Sequence, residues 1–161
     1  MKYAGQDRNG TDAAKACFNL MKIQSEMERK NDIKIIDLPK IEDERGNLSF
    51  IEEDFHIPFK IKRVYWIYDV PGGEFRGSHA FKEAEEFIVA LSGSFDIILH
   101  DGREERKYSL RRSYYGLYIP ALTFRRLENF STNSLALVLS STRYSQADYI
   151  RDFDEFLAII K

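Results

Sequence analysis

The residues with the clearest capacity for chemistry lie between Gly73 and Gly93, in and around the stretch GSHAFKEAEE (77–86). His79 is one of 3 histidines in a chain of 161 residues, and Glu86 follows it in the same stretch. A histidine titrates near neutral pH, so it can accept or donate a proton during a reaction. A carboxylate held nearby can carry a second proton. The stretch therefore predicts a site for acid–base chemistry.

The spacing of these residues resembles the first cupin motif. In that motif a glycine precedes a His-x-His pair and a glutamate, and all of them line the mouth of a jelly-roll barrel. His79 and Glu86 keep this spacing, whereas Phe81 stands at the position of the second histidine. Arg125 stands where the second cupin motif has its histidine. Two of the four metal-ligand positions have therefore changed type.

These changes argue against a bound metal. A metal site of this class needs three or four nitrogen or oxygen ligands, and arginine, which stays protonated, would repel a cation. His79 and Glu86 alone make a poor metal site. The sequence therefore predicts no metal and no other cofactor.

The elements that must position these residues read as β-strands from Ile33 to Ser141. Short runs of β-branched and aromatic residues alternate there with glycine, proline and Asp-Gly turn signals. Asp101-Gly102 lies between two such runs and favours a tight hairpin. About nine short strands joined by tight turns are typical of a barrel or jelly roll, so the fold class is all-β. The predicted strands are residues 33–38, 47–52, 61–69, 86–91, 94–100, 104–110, 114–119, 123–129 and 134–140.

Helices are predicted at both ends of the chain. At the N terminus, residues 1–10 read as a polar arm, and Thr11 can cap a helix that continues to about Lys30. At the C terminus, Ser145 can cap a helix whose apolar residues repeat at helical spacing up to Ile160. The predicted domains are an N-terminal arm and helix over residues 1–32 and a cupin-type jelly-roll domain over residues 33–161.

Composition limits the partners and the compartment. The chain has 24 Lys and Arg against 26 Asp and Glu, which gives a net charge of −2. This balance does not indicate the excess of positive charge that binding to nucleic acid or to an anionic membrane requires. No apolar run approaches the ~18 residues that would span a bilayer. Cys17, a single cysteine, cannot form an intramolecular disulfide, and the N-terminal region lacks the apolar core of a signal peptide. The sequence therefore predicts a cytoplasmic protein.

A wider resemblance extends from about Lys40 to Lys161. The motifs RGNL, IPF-IKRVY, RG-HA-K, GLY and DYIRDF resemble those of the dTDP-4-keto-6-deoxyhexose 3,4-ketoisomerases, the WxcM-like cupins. The resemblance implies a metal-independent homodimer that acts on a dTDP-sugar in deoxysugar biosynthesis. The implied reaction moves a carbonyl from C4 to C3 of the hexose through an enediol. Such a reaction needs a base and donors for the developing oxyanion, and it needs no redox cofactor.

The same resemblance implies roles for particular residues. His79 matches the first histidine of the family's RG-HAHK run and is expected to be the principal acid or base. Tyr65 matches a tyrosine on the preceding strand and is expected to be a hydroxyl donor. Arg45 and Arg76 match arginines that are expected to contact the phosphates or the sugar. The other residues expected to bind substrate are Phe81, Lys82, Phe124 and Arg125.

Three departures from the family bear on catalysis. The second histidine is Phe81, a glutamine is replaced by Glu86, and a Trp-His pair is replaced by Phe124-Arg125. Phenylalanine cannot exchange a proton, so Glu86 is the candidate second proton carrier, with a pKa raised by burial against Phe81 and Phe124. Alternation along a strand sends only one of Arg125 and Arg126 inward, and we expect this to be Arg125. It could stabilise an enolate, hold a phosphate, or pair with Glu86 and fill the pocket.

A second interpretation stays open. The combined loss of the second histidine, the Trp-His pair and the glutamine also fits a catalytically silent cupin that binds a sugar nucleotide or serves as an assembly subunit. If the chain is an enzyme, His79→Ala should abolish turnover and leave binding intact. If it only binds, Arg76→Ala should weaken nucleotide binding and change no rate. His56 and His100 are expected to be surface or turn residues.

Overall fold

The computed structural model describes residues 12–17, 19–20 and 32–161, and it divides the chain into two compact units after Asp32. In the first unit residues 12–17 and 19–20 are helical and exposed, which confirms the predicted N-terminal helix for these residues. The predicted arm over residues 1–10 and the rest of that helix lie outside the described residues. None of the helices in the described ranges is both long and apolar enough to cross a membrane.

The second unit consists of two five-stranded antiparallel sheets. The strand order is β1-β7-β4-β9-β2 in the first sheet and β10-β3-β8-β5-β6 in the second. The strands are β1 (Lys34–Asp37), β2 (Arg63–Ile67), β3 (Arg76–Phe81), β4 (Glu86–Ser92), β5 (Phe95–His100), β6 (Glu105–Leu110), β7 (Tyr115–Ile119), β8 (Phe124–Glu128), β9 (Leu135–Ser140) and β10 (Tyr149–Ile150). Two antiparallel sheets connected in this crossed order form a jelly roll. The predicted all-β, cupin-type fold class is therefore confirmed.

Strand alternation places the core between the two sheets. On β4, Ile88 and Ala90 point into this space, whereas Phe87 and Val89 point to the opposite face of the sheet. The inter-sheet core consists of Ile88, Ala90, Phe95, Ile97, Leu99, Leu110, Leu117, Ile119, Leu127, Ala136 and Val138. On the outer face of the first sheet, a second apolar cluster joins Phe87 and Val89 to residues of the segment between β1 and β2, including Ile57.

Two differences concern the predicted strands. The strand predicted over 47–52 does not form. Leu48 makes an isolated bridge with Ile41, and Ile51 packs against the outer face of the first sheet. Strand β3 was not predicted, although it carries His79. The register between β3 and β8 shifts before this histidine, at a bulge, and this interrupts the alternation by which strands are recognised. The predicted hairpin at Asp101-Gly102 is confirmed, since it joins β5 to β6.

The C-terminal helix begins later than predicted. Ser145 precedes a short 3-10 turn, Gln146–Asp148, and the next two residues pair as β10 with the edge of β3. The helix spans Phe153–Ile159, and Asp152 caps it by accepting a hydrogen bond from the backbone N–H of Glu155 at 2.8 Å. The helical periodicity from Tyr149 onward is overridden by pairing with β3, which a local sequence pattern does not show.

Candidate active site

Four strands bring a polar cluster into one end of the space between the sheets. The alternation that turns Ile88 of β4 into the inter-sheet core also turns Glu86 of the same strand inward. Arg125 on β8, Tyr65 on β2 and His79 on β3 complete the polar cluster (Tyr65, His79, Glu86 and Arg125). Glu86 is 1%, Arg125 3% and His79 9% exposed, so these groups are almost fully removed from water.

Three members of the polar cluster are bound to one another. The hydroxyl of Tyr65 donates to Oε1 of Glu86 at 2.6 Å, and Nη2 of Arg125 donates to the Tyr65 oxygen at 3.0 Å. Arg125 also forms an ion pair with Oε2 of Glu86. Of the three roles that the sequence left open for Arg125, the structure shows the pairing with Glu86. The arrangement keeps a buried charge compensated and gives Tyr65 and Glu86 a short path for a proton.

Burial controls the protonation of this triad. It raises the pKa of Glu86 above its usual value, although Arg125 and the hydrogen bond from Tyr65 oppose the rise. Burial also raises the pKa of Tyr65, with Glu86 adding to the effect and Arg125 opposing it. Tyr65 therefore keeps its proton near neutral pH, and it is a hydrogen-bond donor rather than a phenolate.

His79 is held by aromatic rings. Its imidazole lies 4.8 Å from the ring centroid of Phe81 and 4.8 Å from that of Tyr149. Its Nε2 atom is buried, and no described residue forms a hydrogen bond with it. Burial, followed by the charges of Arg125, Arg151 and Arg63, lowers the pKa of His79 to about 3. The imidazole is therefore neutral near pH 7, with a ring nitrogen free to take part in proton transfer.

Phe124 lies on the other side of the strand. Arg125 is buried between the sheets, whereas the ring of Phe124 packs on the opposite face of β8 at 5.2 Å from Phe153 and 5.5 Å from Phe156 of the C-terminal helix. The prediction that Phe124 desolvates Glu86 is corrected, because neighbouring residues of a strand point to opposite faces. Phe124 instead lines an outer cavity of about 310 Å³, together with His100, Arg126, Arg151 and Phe153.

The other basic residues expected to bind substrate are at the surface. Arg45 is bound to Asp43 by its Nε and Nη2 atoms, at 2.7 and 3.0 Å. Arg76 begins β3 and Lys82 follows it, and both are exposed. None of the three is bonded to the polar cluster in the described part of the chain. Phe81, in contrast, lies inside the barrel, with the Arg125 guanidinium 5.1 Å from its ring centroid.

The two remaining histidines bind local backbone. Nδ1 of His56 accepts a hydrogen bond from the N–H of Glu52 at 2.9 Å, and Nδ1 of His100 accepts one from the N–H of Gly102 at 3.0 Å. Both side chains therefore stabilise turns, as expected from the sequence.

Arg63 is a site residue that the sequence analysis missed. Its guanidinium lies 5.3 Å from the ring centroid of Tyr65, 6.0 Å from that of Phe81 and 5.8 Å from that of Tyr144. Nη2 donates weakly to Ser140 at 3.3 Å, and no carboxylate of the described residues pairs with Arg63. Arg63 precedes Tyr65 by two positions on β2, so strand alternation alone places both on one face. It gives the edge of the polar cluster a cation that can bind an anionic group.

The polar cluster is a poor fit for a metal ion. His79 and Glu86 occupy the positions that would supply ligands, but the carboxylate is already paired with Arg125, and this guanidinium would repel a cation. Within the described ranges, no three His, Cys, Asp or Glu side chains form a group that could hold a metal. The chemistry that these residues support is proton transfer beside a positively charged group.

Comparison with known proteins gives a consistent family. A curated relative, the TDP-4-oxo-6-deoxy-alpha-D-glucose-3,4-oxoisomerase of Aneurinibacillus thermoaerophilus, is 43% identical over 123 residues, which cover 76% of this chain and 88% of the relative. The structure of the TDP-quinovose 3,4-ketoisomerase WlaRB of Campylobacter jejuni matches with a TM-score of 0.76 and 45% identity, covering 79% of this chain and 98% of that one.

A further solved structure contains a sugar nucleotide. It is a variant of the 3,4-ketoisomerase QdtA of Thermoanaerobacterium thermosaccharolyticum in complex with TDP-4-keto-6-deoxyglucose. It matches with a TM-score of 0.78 and 35% identity, and the match covers 80% of this chain and 93% of that one. The family model described as FdtA, WxcM-like, C-terminal matches residues 31–161. The chain therefore belongs to the WxcM-like (FdtA) family of cupin-type proteins.

Proposed function

We propose that this chain is a sugar-nucleotide 3,4-ketoisomerase that acts on a dTDP-4-keto-6-deoxyhexose in deoxysugar biosynthesis. The observation that carries the proposal is a buried, neutral His79 beside the Tyr65–Glu86–Arg125 triad, in a chain 43% identical to a TDP-4-oxo-6-deoxy-glucose 3,4-oxoisomerase. Residues 33–161 carry the reaction, and residues 1–32 are an appendage to it. The compartment is the cytoplasm, where sugar nucleotides are made.

His79 is the principal base. It takes the proton from C3, the electron pair of the broken C3–H bond forms the C3=C4 bond, and the C4 carbonyl oxygen becomes negatively charged. Arg125 and Tyr65 stabilise this oxyanion. A guanidinium and a phenol interact with a negative charge more strongly in a buried site than in water. No electron leaves the substrate in these steps, so the reaction needs no redox partner.

Glu86 is the second proton carrier. The isomerisation ends when the protonated His79 returns its proton to C4. At oxygen, the C4 oxyanion gains a proton and becomes a hydroxyl, and the C3 hydroxyl loses one, which forms the C3 carbonyl. Phe81 cannot move either proton, whereas Glu86 lies 2.6 Å from the Tyr65 hydroxyl and has a raised pKa. The pair therefore passes protons at the oxygen side of the substrate while His79 acts at carbon.

The anionic diphosphate is bound by arginines. Arg63 lies at the edge of the polar cluster without a carboxylate partner in the described residues. Arg45, Arg76 and Lys82 are exposed, and in this proposal they contact the nucleotide, Arg45 after leaving its ion pair with Asp43. Phe81 and Phe124 were both expected to contact substrate, but only Phe81 lies on the same face as His79, so only Phe81 is retained as a pocket wall.

The active form is a homodimer. On the outer face of the first sheet, Val64, Trp66 and Tyr68 of β2 and its extension are 47%, 58% and 60% exposed, and Leu91 of β4 is 45% exposed. A contiguous apolar face of this kind on an edge strand favours association with another protein surface. A second copy covers it in this proposal. Trp66→Glu should give a monomer in sedimentation velocity, and an unchanged sedimentation coefficient would contradict the interface.

Two observations favour a different function. Glu86 is already paired with Arg125, and Phe81 stands where the family has a second histidine. A catalytically silent protein that binds a sugar nucleotide, or that acts as an assembly subunit, would tolerate both features.

Proton NMR distinguishes the two functions. The purified protein is incubated with dTDP-4-keto-6-deoxyglucose, and the spectra are followed for a 3-keto product. Product formation supports the isomerase and gives the C4 configuration. Line broadening of the nucleotide without any product supports the silent binding protein. Neither broadening nor product would contradict both the isomerase and the sugar-nucleotide binding protein, and would leave the assembly subunit.

A further inference from the structure

We propose that Asp148 and Tyr149 position the imidazole of His79 for proton transfer, so that an aromatic ring performs the orienting role that a carboxylate has in many histidine bases. This inference rests on the proposed isomerase function and adds two residues to its machinery. Both belong to the DYIRDF motif of residues 148–153, to which the sequence analysis assigned no role.

Asp148 anchors its segment to the connection between β3 and β4. Its Oδ1 atom accepts a hydrogen bond from the N–H of Glu83 at 2.8 Å, and its Oδ2 atom accepts one from the N–H of Ala84 at 3.2 Å. Its backbone carbonyl accepts a third from the N–H of Lys82 at 2.9 Å. One residue therefore binds three consecutive backbone N–H groups, in the connection that separates the strand of His79 from the strand of Glu86.

This anchor determines where Tyr149 lies. Tyr149 is the first residue of β10 and pairs in register with Phe81. Its ring centroid lies 4.8 Å from that of His79 and 4.6 Å from that of Phe81. The imidazole is therefore in contact with two rings, one on its own strand and one on the anchored segment.

No polar group of the described residues orients the imidazole of His79. His79 forms no ion pair with a carboxylate there, and its Nε2 atom has no hydrogen-bond partner. Histidine bases of the triad type are oriented by a hydrogen bond from one ring nitrogen to a carboxylate. In this protein, contact with Tyr149 and Phe81 restricts the rotation of the ring instead. Tyr149 and Asp148 are thus positioning residues, and neither needs to touch the reacting atoms.

The test compares Tyr149→Leu with its matched control Tyr149→Phe. Tyr149→Leu removes the ring but keeps an apolar side chain on β10, whereas Tyr149→Phe keeps the ring and removes only the hydroxyl. Tyr149→Leu should lower kcat by roughly 10- to 100-fold and leave KM within about twofold, because misplacement of a reacting group reduces rate more than binding. Tyr149→Phe should retain the wild-type kcat.

The His79 Hε1 resonance reports on the contact between the two rings, whereas the split between kcat and KM separates a positioning role from a purely structural one. It should shift in Tyr149→Leu, because the ring current of Tyr149 is lost, and stay in place in Tyr149→Phe. Asp148→Ala should reproduce both effects of Tyr149→Leu, and Asp148→Asn, which keeps one acceptor oxygen, should restore part of the kcat. Circular dichroism of each variant shows whether it is folded.

The proposal is overturned if folded Tyr149→Leu has wild-type kcat and an unshifted His79 resonance. It is also overturned if Asp148→Ala lowers only the unfolding temperature. If the wild-type protein forms no 3-keto product, the proposed function fails, whereas the His79 resonance in Tyr149→Leu and Tyr149→Phe still shows whether the contact on which positioning depends is made.

Discussion

The two ends of the space between the sheets share the strands β4 and β8 and differ in residue type. On β4, Glu86, Ile88 and Ala90 all point inward, yet Glu86 belongs to the polar cluster while Ile88 and Ala90 belong to the inter-sheet core. Apolar residues stabilise the fold when they are buried, whereas a buried ion pair gains little over an apolar pair of the same size. The comparison indicates that the apolar end maintains the barrel, and in the proposed function the polar end carries the chemistry.

The largest expected effect is at the polar end. His79→Ala should lower kcat by about 10²- to 10⁴-fold, which is the usual contribution of a general base, and it should leave dTDP affinity nearly unchanged. Turnover is measured by NMR and affinity by calorimetry. His56→Asn is the matched control, because an amide oxygen can replace Nδ1 as the acceptor from Glu52, and this histidine lies outside the polar cluster. Wild-type turnover in His79→Ala would remove the assignment of the base.

Breaking the ion pair should destabilise the protein strongly. Arg125→Met leaves Glu86 buried without its cation, and the loss of one partner of such a pair costs about 3–5 kcal/mol. The double variant Glu86→Gln/Arg125→Met removes both charges and should recover most of this loss. Urea unfolding measures both free energies. Equal destabilisation of the single and double variants would contradict this explanation, because it would show that the loss of stability does not come from an unpaired buried charge.

The apolar end should respond in stability and not in rate. Leu117 is fully buried in the inter-sheet core. Leu117→Ala should lower the free energy of unfolding by about 2–5 kcal/mol, because it removes buried apolar surface and leaves a cavity. The kcat of the folded fraction should stay within about twofold. Ile159→Ala, at an exposed position of the C-terminal helix, is the control and should change stability by less than about 0.5 kcal/mol. A large fall in kcat for Leu117→Ala would contradict the separation of the two ends.

The last expected effect is a pH dependence of stability. The pKa of His79 is lowered from 6.5 to about 3 in the folded protein, so the folded state disfavours the protonated imidazole. The contribution of His79 to stability is fully present above pH 6.5 and is lost as the pH falls towards 3. In urea unfolding at pH 7 and pH 4, His79→Gln should therefore lose less stability on acidification than the wild type. A wild-type loss equal to that of the variant would contradict a buried neutral histidine.

Alternation along the strands explains what the sequence could predict. Runs of β-branched and aromatic residues located eight of the ten strands, and alternation correctly turned Arg125 inward rather than Arg126, because both follow from local pattern. The same rule places Arg63 beside Tyr65 and Phe124 opposite Arg125. Neither placement was predicted, because Phe124 and Arg125 were assigned to the same site as a pair and the alternation was not extended from Tyr65 to Arg63.

Other features depend on contacts between distant parts of the chain. The partner of Arg125 could not be chosen in advance, because Glu86 lies on β4 in the opposite sheet and the distance between them depends on how the sheets pack. The contact of Tyr149 with His79 arises from a two-residue strand whose sequence has helical periodicity. Local patterns carry no information about either contact.

The central claim is that His79 moves the proton at carbon and that Glu86, with Tyr65, moves the protons at oxygen. The most direct test follows exchange of the substrate C3 proton and formation of the 3-keto product in deuterated buffer by wild type, Glu86→Gln and His79→Ala. We predict that Glu86→Gln still exchanges the C3 proton but forms product slowly, and that His79→Ala does neither. Exchange at C3 by His79→Ala at the wild-type rate would contradict the account.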